Sequence, residues 1–147
     1  MYNAEKNADI VRRGYEAFNK GDMKTLTELF HENASWHTPG KSPIAGDHVG
    51  RNAAFAQFGH YGGDTAGTFR ADLKSVAATD DGRVIGMHRN TAKMNGKQLD
   101  VDCCIVFEIK DGDRFLAVKN IFIISMPGTN SGLNSVVELF RRWTFEN

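Results

Sequence analysis

The 147-residue sequence predicts an α+β domain in which helices lie on one face of a curved, mainly antiparallel sheet. One observation is that apolar residues recur at helical spacing in the first part of the chain, whereas the later part consists of long β-rich runs. A second is Asn95-Gly96, which lies between two such runs and supplies positive φ cheaply at a hairpin turn. Asp111-Gly112 follows as the next turn signal, so the runs form a three-stranded antiparallel meander.

The elements that lead to the meander can be placed one by one. Gly21-Asp22 ends the first helix and supplies a plausible cap for the second, while Thr38-Pro39-Gly40 breaks a short strand. Gly62-Gly63 is a flexible break after the third helix. The predicted helices span 3–20, 23–30 and 52–59, and the predicted strands span 34–37, 68–79, the two runs within 84–112, and 115–126.

The strands of the hairpin carry polar residues in their middle. They are His88, Arg89, Asn90, Asp102, Cys103 and Cys104. A sheet with polar groups at its centre needs either partners for them or a pocket. A strongly bent sheet covered by helices forms a cone with a lined interior, which is the usual form of a small-molecule site.

Composition narrows the possible functions. Eighteen basic residues balance eighteen acidic ones without a long basic cluster, which argues against nucleic-acid binding. No apolar run approaches the roughly 20 residues of a membrane-spanning helix, and the N-terminus lacks the pattern of a signal peptide, so a cytoplasmic single-domain protein is expected. The five histidines and two cysteines show no metal-binding spacing, and the adjacent cysteines are expected to be reduced thiols.

Three segments resemble a known superfamily when their order and spacing are taken together: AFNKGDMKTLTELFHENASWHTPG at 17–40, AGDHVGRNAAFAQFG at 45–59 and DVDCCIVFEIKDG at 100–112. From about residue 8 to about residue 112 the chain is similar to nuclear transport factor 2-like proteins and, among them, to the SnoaL-like group. The resemblance implies a cone-shaped α+β fold, commonly dimeric through the outer face of the sheet. It also implies acid–base chemistry without a metal or cofactor, on a hydrophobic small molecule.

The superfamily includes ketosteroid isomerases, limonene epoxide hydrolase, scytalone dehydratase and polyketide cyclases, but also non-enzymatic carriers. A non-catalytic small-molecule-binding or protein-interaction domain of the same fold is therefore the alternative to an enzyme. The isomerase tyrosine corresponds to Gly14, with Tyr15 one residue away, and the isomerase aspartate corresponds to Thr38. The Arg-x-Asp pair and second aspartate of the epoxide hydrolase correspond to His88, Asn90 and Asn120. Neither mechanism therefore carries over intact.

Candidate catalytic residues lie on the hairpin. A histidine with a pKa near neutrality suits general-base catalysis, so His88 is the candidate base; the alternative is a strand histidine that is packed or hydrogen-bonded to a neighbour. Asn90 lies on the same face and is expected to orient a ligand or His88. Counting outward from the turn places Asp102 near His88, where it could orient the imidazole, unless it pairs with Arg89 or lies on the surface.

The other candidates are expected to contact the substrate. Trp36 is a candidate pocket wall or an ordinary core residue, and Tyr15 brings a polar tip that could bind a carbonyl. The full set of candidate substrate-binding residues is Tyr15, Trp36, Thr38, Phe55, Phe58, Cys104 and Asn120.

The end of the chain, 113–147, is atypical for the resembling family, whose last strand usually finishes in an acidic-aromatic run with tryptophan. With suitable codons, NIFIISMPGTNSGLN at 120–134 reads in another frame as HFHYLYAWDEFWS followed by a stop, which is strongly family-like. We hypothesise that a frameshift near residues 112–119 replaced the ancestral tail. In its present form, 121–126 is apolar enough for a strand and 136–143 for a helix.

Overall fold

A computed structural model describes residues 3–38 and 45–124, the last five of these as backbone only. Three helices and six strands form this part of the chain. The helices are α1 (Ala4–Lys20), α2 (Met23–Leu29) and α3 (Arg51–Asp64). The strands are β1 (Phe30–Thr38), β2 (Gly46–Val49), β3 (Arg70–Ala78), β4 (Arg83–Met94), β5 (Lys97–Lys110) and β6 (Arg114–Ile124).

The predicted α+β class is confirmed, and the sheet is curved without closing on itself. Its strand order is β2-β1-β6-β5-β4-β3. The neighbouring strands pair antiparallel except β1 with β6, which run parallel. Asn95 and Gly96 both have positive φ, 51° and 76°, as the tight turn between β4 and β5 requires.

Local sequence explains where the first two helices begin and end. Asn3 caps α1 by accepting a hydrogen bond from the Lys6 backbone N–H at 3.0 Å. Gly21 ends α1 in the left-handed conformation with φ 67°, which glycine adopts without strain. The Asp22 carboxylate then caps α2 by accepting from the Thr25 N–H at 3.1 Å.

Three predicted boundaries were wrong. β1 begins at Phe30, directly after α2, because Phe30 pairs there with Phe115 of β6, whereas β2 pairs only with the later part of β1. β2 occupies part of a segment for which a loop was expected. α3 continues through Gly62-Gly63 to Asp64.

The core lies between the helices and the inner face of the sheet. Buried phenylalanines at 30, 58, 107 and 115 pack there with aliphatic residues of α1 and β5. Gly14 lets α1 approach closely, because a Cβ at that position would lie 2.9 Å from Cε2 of Phe115. No helix in the ranges 3–38 and 45–124 is long and apolar enough to cross a membrane.

The C-terminal end of α1 is tied to the edge strand β3 by Asn19. Its Nδ2 donates to the Ala71 carbonyl at 2.7 Å, and its Oδ1 accepts from the Ala71 N–H at 2.9 Å. One side chain therefore satisfies both backbone groups of an edge residue that is only 6% exposed.

Candidate functional site

The described helices and the inner face of the sheet line a cavity of about 100 Å³. Most of the described side chains that line it are apolar, and none is Asp, Glu, Lys or Arg. The polar lining residues are Tyr15, Trp36, Thr38, Tyr61, His88 and Asn90. A mainly apolar cavity with a few converging polar groups is typical of small-molecule sites.

Tyr15 and His88 form a hydrogen-bonded pair at the wall of this cavity. Tyr15 extends from α1 and His88 from the inner face of β4, and the phenol oxygen lies 2.5 Å from His88 Nδ1. Gly86, two residues before His88 on the same face, lets Phe107 and Ile105 pack closely beside the pair. A Cβ there would meet Phe107 at 3.2 Å and the Tyr15 oxygen at 3.5 Å.

Burial keeps both members of the pair neutral. It lowers the pKa of His88 to about 4, although the nearby Asn90 amide and the charge of Asp102 oppose the shift. Burial also raises the pKa of Tyr15 well above its ordinary value of 10.0. The expectation of a His88 pKa near neutrality was therefore wrong, because an imidazolium would lose most of its hydration in this apolar wall.

The neutral pair has two arrangements that differ in the positions of two protons. In one, His88 Nδ1–H donates to the Tyr15 oxygen, which leaves the phenol proton for a ligand and a lone pair on Nε2. In the other, Tyr15 donates to Nδ1 and Nε2 carries the proton. The pair can thus offer an acid and a base together without forming a charge.

Asn90 is two residues after His88 on β4 and lies on the same face. Its Nδ2 donates to the Cys103 sulfur at 3.2 Å, while its buried Oδ1 has no hydrogen-bond partner among the described residues. Burial raises the pKa of the Cys103 thiol to about 12, so this cysteine is an unreactive neighbour of the site.

Within the described ranges, no three His, Cys, Asp or Glu side chains converge in a way that would hold a metal ion. His37 contacts Asp47 at 2.7 Å and His60 lies 3.7 Å from Asp64, in both cases as two-residue contacts outside the cavity lining.

A family model described as a SnoaL-like domain matches residues 11–116. The chain belongs to this family. Its fold is that of the nuclear transport factor 2-like proteins, as the resemblance of the three sequence segments implied.

Three similar proteins illustrate the relationship. The structure of Bal32a, from a soil-derived mobile gene cassette, is 69% identical with a TM-score of 0.79, and the match covers 81% of this chain and 90% of Bal32a. An uncharacterized protein of Mycobacterium tuberculosis is 32% identical over 108 residues, which cover 74% of this chain and 82% of the relative. IdmH, a putative polyketide cyclase from Streptomyces antibioticus, shares the fold at 20% identity with a TM-score of 0.65, over 78% and 90% of the two chains.

Within this SnoaL-like domain, the structure brings six of the ten candidate residues to the cavity: Tyr15, Trp36, Thr38, Phe58, His88 and Asn90. Trp36 packs edge-on against Phe58 with a centroid distance of 4.8 Å, so it is a core residue and a wall residue at once. Tyr15 reaches the cavity although its sequence position is offset from that of the isomerase tyrosine by one residue, and Gly14 lines the cavity beside it.

Three candidates lie elsewhere. Asp102 is opposite Arg89 in the β4–β5 register, whereas Cys103 is opposite His88, so the expected pairing of Asp102 with His88 was wrong. The count outward from the turn was off by one residue, which moves a side chain to the other face of the sheet. Cys104 shares the outer face with Asp102, and Phe55 packs behind the cavity against Phe30 and Phe58.

Arg89 takes a different carboxylate as its partner. It binds Asp100 through two hydrogen bonds of 2.5 Å on the outer face. Asn120 lies in β6 opposite Ile105, but its side chain is outside the described residues, so its role in the site stays a prediction.

Sequence reasoning missed several wall residues. Tyr61 lines the cavity because α3 continues past its predicted end at residue 59, and it stacks on Phe69 with a centroid distance of 5.0 Å. Leu99 and Val101 contribute from β5, where their alternation with Asp100 and Asp102 was the available sequence signal.

Proposed function

We propose that this SnoaL-like protein is a small enzyme that binds a hydrophobic molecule in the cavity and moves protons on it without a cofactor. The observation that carries the proposal is the 2.5 Å hydrogen bond between the Tyr15 oxygen and His88 Nδ1 in the wall of an apolar cavity. A tyrosine and a histidine that share a buried site are costly in stability and are typical of acid–base catalysis.

The proposed step begins with the lone pair on His88 Nε2 and the phenol proton on Tyr15. A carbon next to a substrate carbonyl gives its proton to Nε2, and the electron pair of that C–H bond forms the C=C bond of an enol. The carbonyl oxygen takes the Tyr15 proton as its π pair moves to oxygen, and the Nδ1 proton passes to the Tyr15 oxygen. Both side chains remain neutral, as the low pKa of His88 requires.

The reverse transfer can return the Nε2 proton to a different carbon, which isomerises the substrate and restores the pair. The enol can instead attack a second carbonyl of the same molecule, which closes a ring. Isomerase and cyclase chemistry therefore fit the pair better than epoxide opening by a carboxylate, because none of the described lining residues is an Asp or Glu.

Proton exchange in heavy water tests this function without knowledge of the natural substrate. With 1-tetralone as the probe, the protein is expected to accelerate the loss of the NMR signal from the protons next to the carbonyl. His88→Gln and Tyr15→Phe should each slow this exchange by about a hundredfold or more, which is the usual contribution of a positioned acid or base. Thr91→Val, on the opposite face of β4, is the matched control.

An exchange rate that His88→Gln leaves unchanged would remove His88 as the base. A non-catalytic carrier is the second candidate, favoured by the predominance of apolar lining residues. It predicts binding of 1-tetralone by the wild-type protein with no acceleration of exchange.

A further inference from the structure

The last turns of α3 contain three glycines that packing does not require. Gly59, Gly62 and Gly63 lie in the helix without a positive φ, and a Cβ at any of them would meet nothing within 4 Å. A glycine inside a helix lowers the local equilibrium constant for helix formation by about fourfold relative to alanine. The sequence therefore makes this end of α3 weaker than the available space demands.

The weak end of α3, which we call the glycine segment, comprises residues 59–64 and lies between two buried residues. Phe58 before it is 8% exposed, and Thr65 after it is 1% exposed. The Thr65 hydroxyl donates to the Tyr61 carbonyl at 2.6 Å and accepts from the Phe69 N–H at 3.2 Å. Five of the six residues between these two fixed points are exposed, so the segment has anchored ends and a solvated middle.

Tyr61 is the half-buried residue of the glycine segment. Its ring lines the cavity and stacks on Phe69, with a centroid distance of 5.0 Å and an interplanar angle of 13°. Its hydroxyl accepts a hydrogen bond from Gln57 Nε2 at 3.4 Å. The residues on either side of it, His60 and Gly62, are exposed. The Tyr61 side chain therefore separates the cavity from solvent at this point of the wall.

From these contacts we infer that the glycine segment is a gate of the cavity. The segment unwinds between Phe58 and Thr65, the Tyr61 ring leaves Phe69, and a ligand passes before the helix forms again behind it. Elements that move in this way are drawn from the least stable parts of a fold, and such motions take microseconds to milliseconds. The inference rests on the proposed function for the premise that the cavity binds a small molecule, and it adds the route of entry.

The triple variant Gly59→Ala/Gly62→Ala/Gly63→Ala tests the gate, because it strengthens the segment without a steric clash. NMR line shapes of 1-tetralone, titrated with the full chain, give the dissociation constant and the two rate constants. Association and dissociation should both slow by about tenfold or more, since each requires the helix to open. The dissociation constant should change by less than about twofold, because the segment is closed in the free and in the bound protein.

Tyr61→Ala distinguishes a gate from a general stabilisation of the helix. This change removes the ring that blocks the opening, so both rates should rise. In the Tyr61→Ala background the three Gly→Ala substitutions should no longer alter either rate. Asn52→Ala, at an exposed position in the first turn of the same helix, is the matched control and should leave the wild-type rates unchanged.

Hydrogen exchange measures the opening of the segment without a ligand. In the triple variant the backbone amides of residues 60–64 should exchange about tenfold to a hundredfold more slowly than in the wild type. The amides of residues 55–58, in the half of α3 that carries buried side chains, should keep their wild-type rates. Wild-type protection at 60–64 equal to that at 55–58 would contradict a segment that opens on its own.

Failure of the gate and failure of the proposed function give different results. Slower hydrogen exchange in the triple variant with unchanged rates for 1-tetralone would overturn the gate and leave binding in the cavity intact. A slower dissociation with unchanged association would also overturn it, since the glycines would then act on the bound complex alone. No measurable binding of 1-tetralone by the wild type would count against the proposed ligand site, and the gate would fall with it.

Discussion

His88 shows how the environment of one residue determines its chemistry. On an exposed strand a histidine would be protonated for part of the physiological pH range. Between α1 and the inner face of the sheet, burial moves its pKa down to about 4 and leaves a neutral ring paired with Tyr15. The pair therefore suits proton transfers in which neither residue becomes charged.

The same shift predicts how stability depends on pH. The folded pKa of about 4 lies below the ordinary value of 6.5, so the unfolded chain takes up a proton at His88 first as the pH falls. The contribution of neutral His88 to the unfolding free energy is complete above pH 6.5 and is lost progressively as the pH falls to 4. The loss is about 3 kcal/mol, since one pKa unit corresponds to about 1.4 kcal/mol.

Urea unfolding of the wild type and of His88→Gln at several pH values in this window measures the effect. The difference in unfolding free energy between the two proteins should change with pH between 6.5 and 4 and level off below that. A difference that stays constant across the window would mean that His88 titrates normally in the folded protein.

Gly86 provides a second prediction at the scale of single residues. Gly86→Ala should destabilise the protein by about 1–3 kcal/mol, because the new methyl group crowds Phe107 and Ile105 in a packed core. Gly59→Ala in α3 is the control. Its Cβ would meet nothing within 4 Å, so helix propensity should make that variant as stable as the wild type or more stable. Equal unfolding free energies for the two variants would contradict the close packing at Gly86.

The elements differ in how far local sequence determines them. The first two helices and the Asn95-Gly96 hairpin were predicted correctly, because their caps and turn residues act within a few positions of the chain. The early start of β1 depends on β6, which is distant in sequence, and β2 forms only by pairing with the end of β1. The residues of each segment alone therefore did not mark them. The prediction that Asp102 lies opposite His88 was wrong for a different reason. A one-residue change in register exchanges the two faces of a strand.

The link that Asn19 makes between α1 and β3 provides a prediction at the scale of secondary-structure elements. Asn19→Ala should lower the unfolding free energy by about 2 kcal/mol, because two partly buried hydrogen bonds to Ala71 are lost together. Asn52→Ala, an exposed position in the first turn of α3, should change it by less than about 0.5 kcal/mol. Hydrogen exchange should also show faster opening of β3 in the Asn19 variant. Unaltered protection of β3 would mean that the two hydrogen bonds from Asn19 to Ala71 do not hold this strand in place.

At the scale of the whole molecule, the family match ends at residue 116, close to the point where we place the frameshift. The nucleotide sequence of the gene decides the hypothesis, since its codons must yield HFHYLYAWDEFWS in the alternative frame. If they do, a chain with that peptide in place of residues 120–147 is expected to melt at a higher temperature than the present protein. A lower melting temperature would indicate that the present tail is the one suited to this domain.

The parallel pairing of β1 with β6 has a consequence for synthesis on the ribosome. Trp36 lies beside Val118, so one edge of the wall that holds Trp36 and Thr38 has no neighbour until more than 80 further residues have been made. Contacts this distant in sequence are expensive in loop entropy and form late in folding. A nascent chain can thus complete the Asn95-Gly96 hairpin, with His88 and Asn90 in place, before β6 covers the open edge of β1.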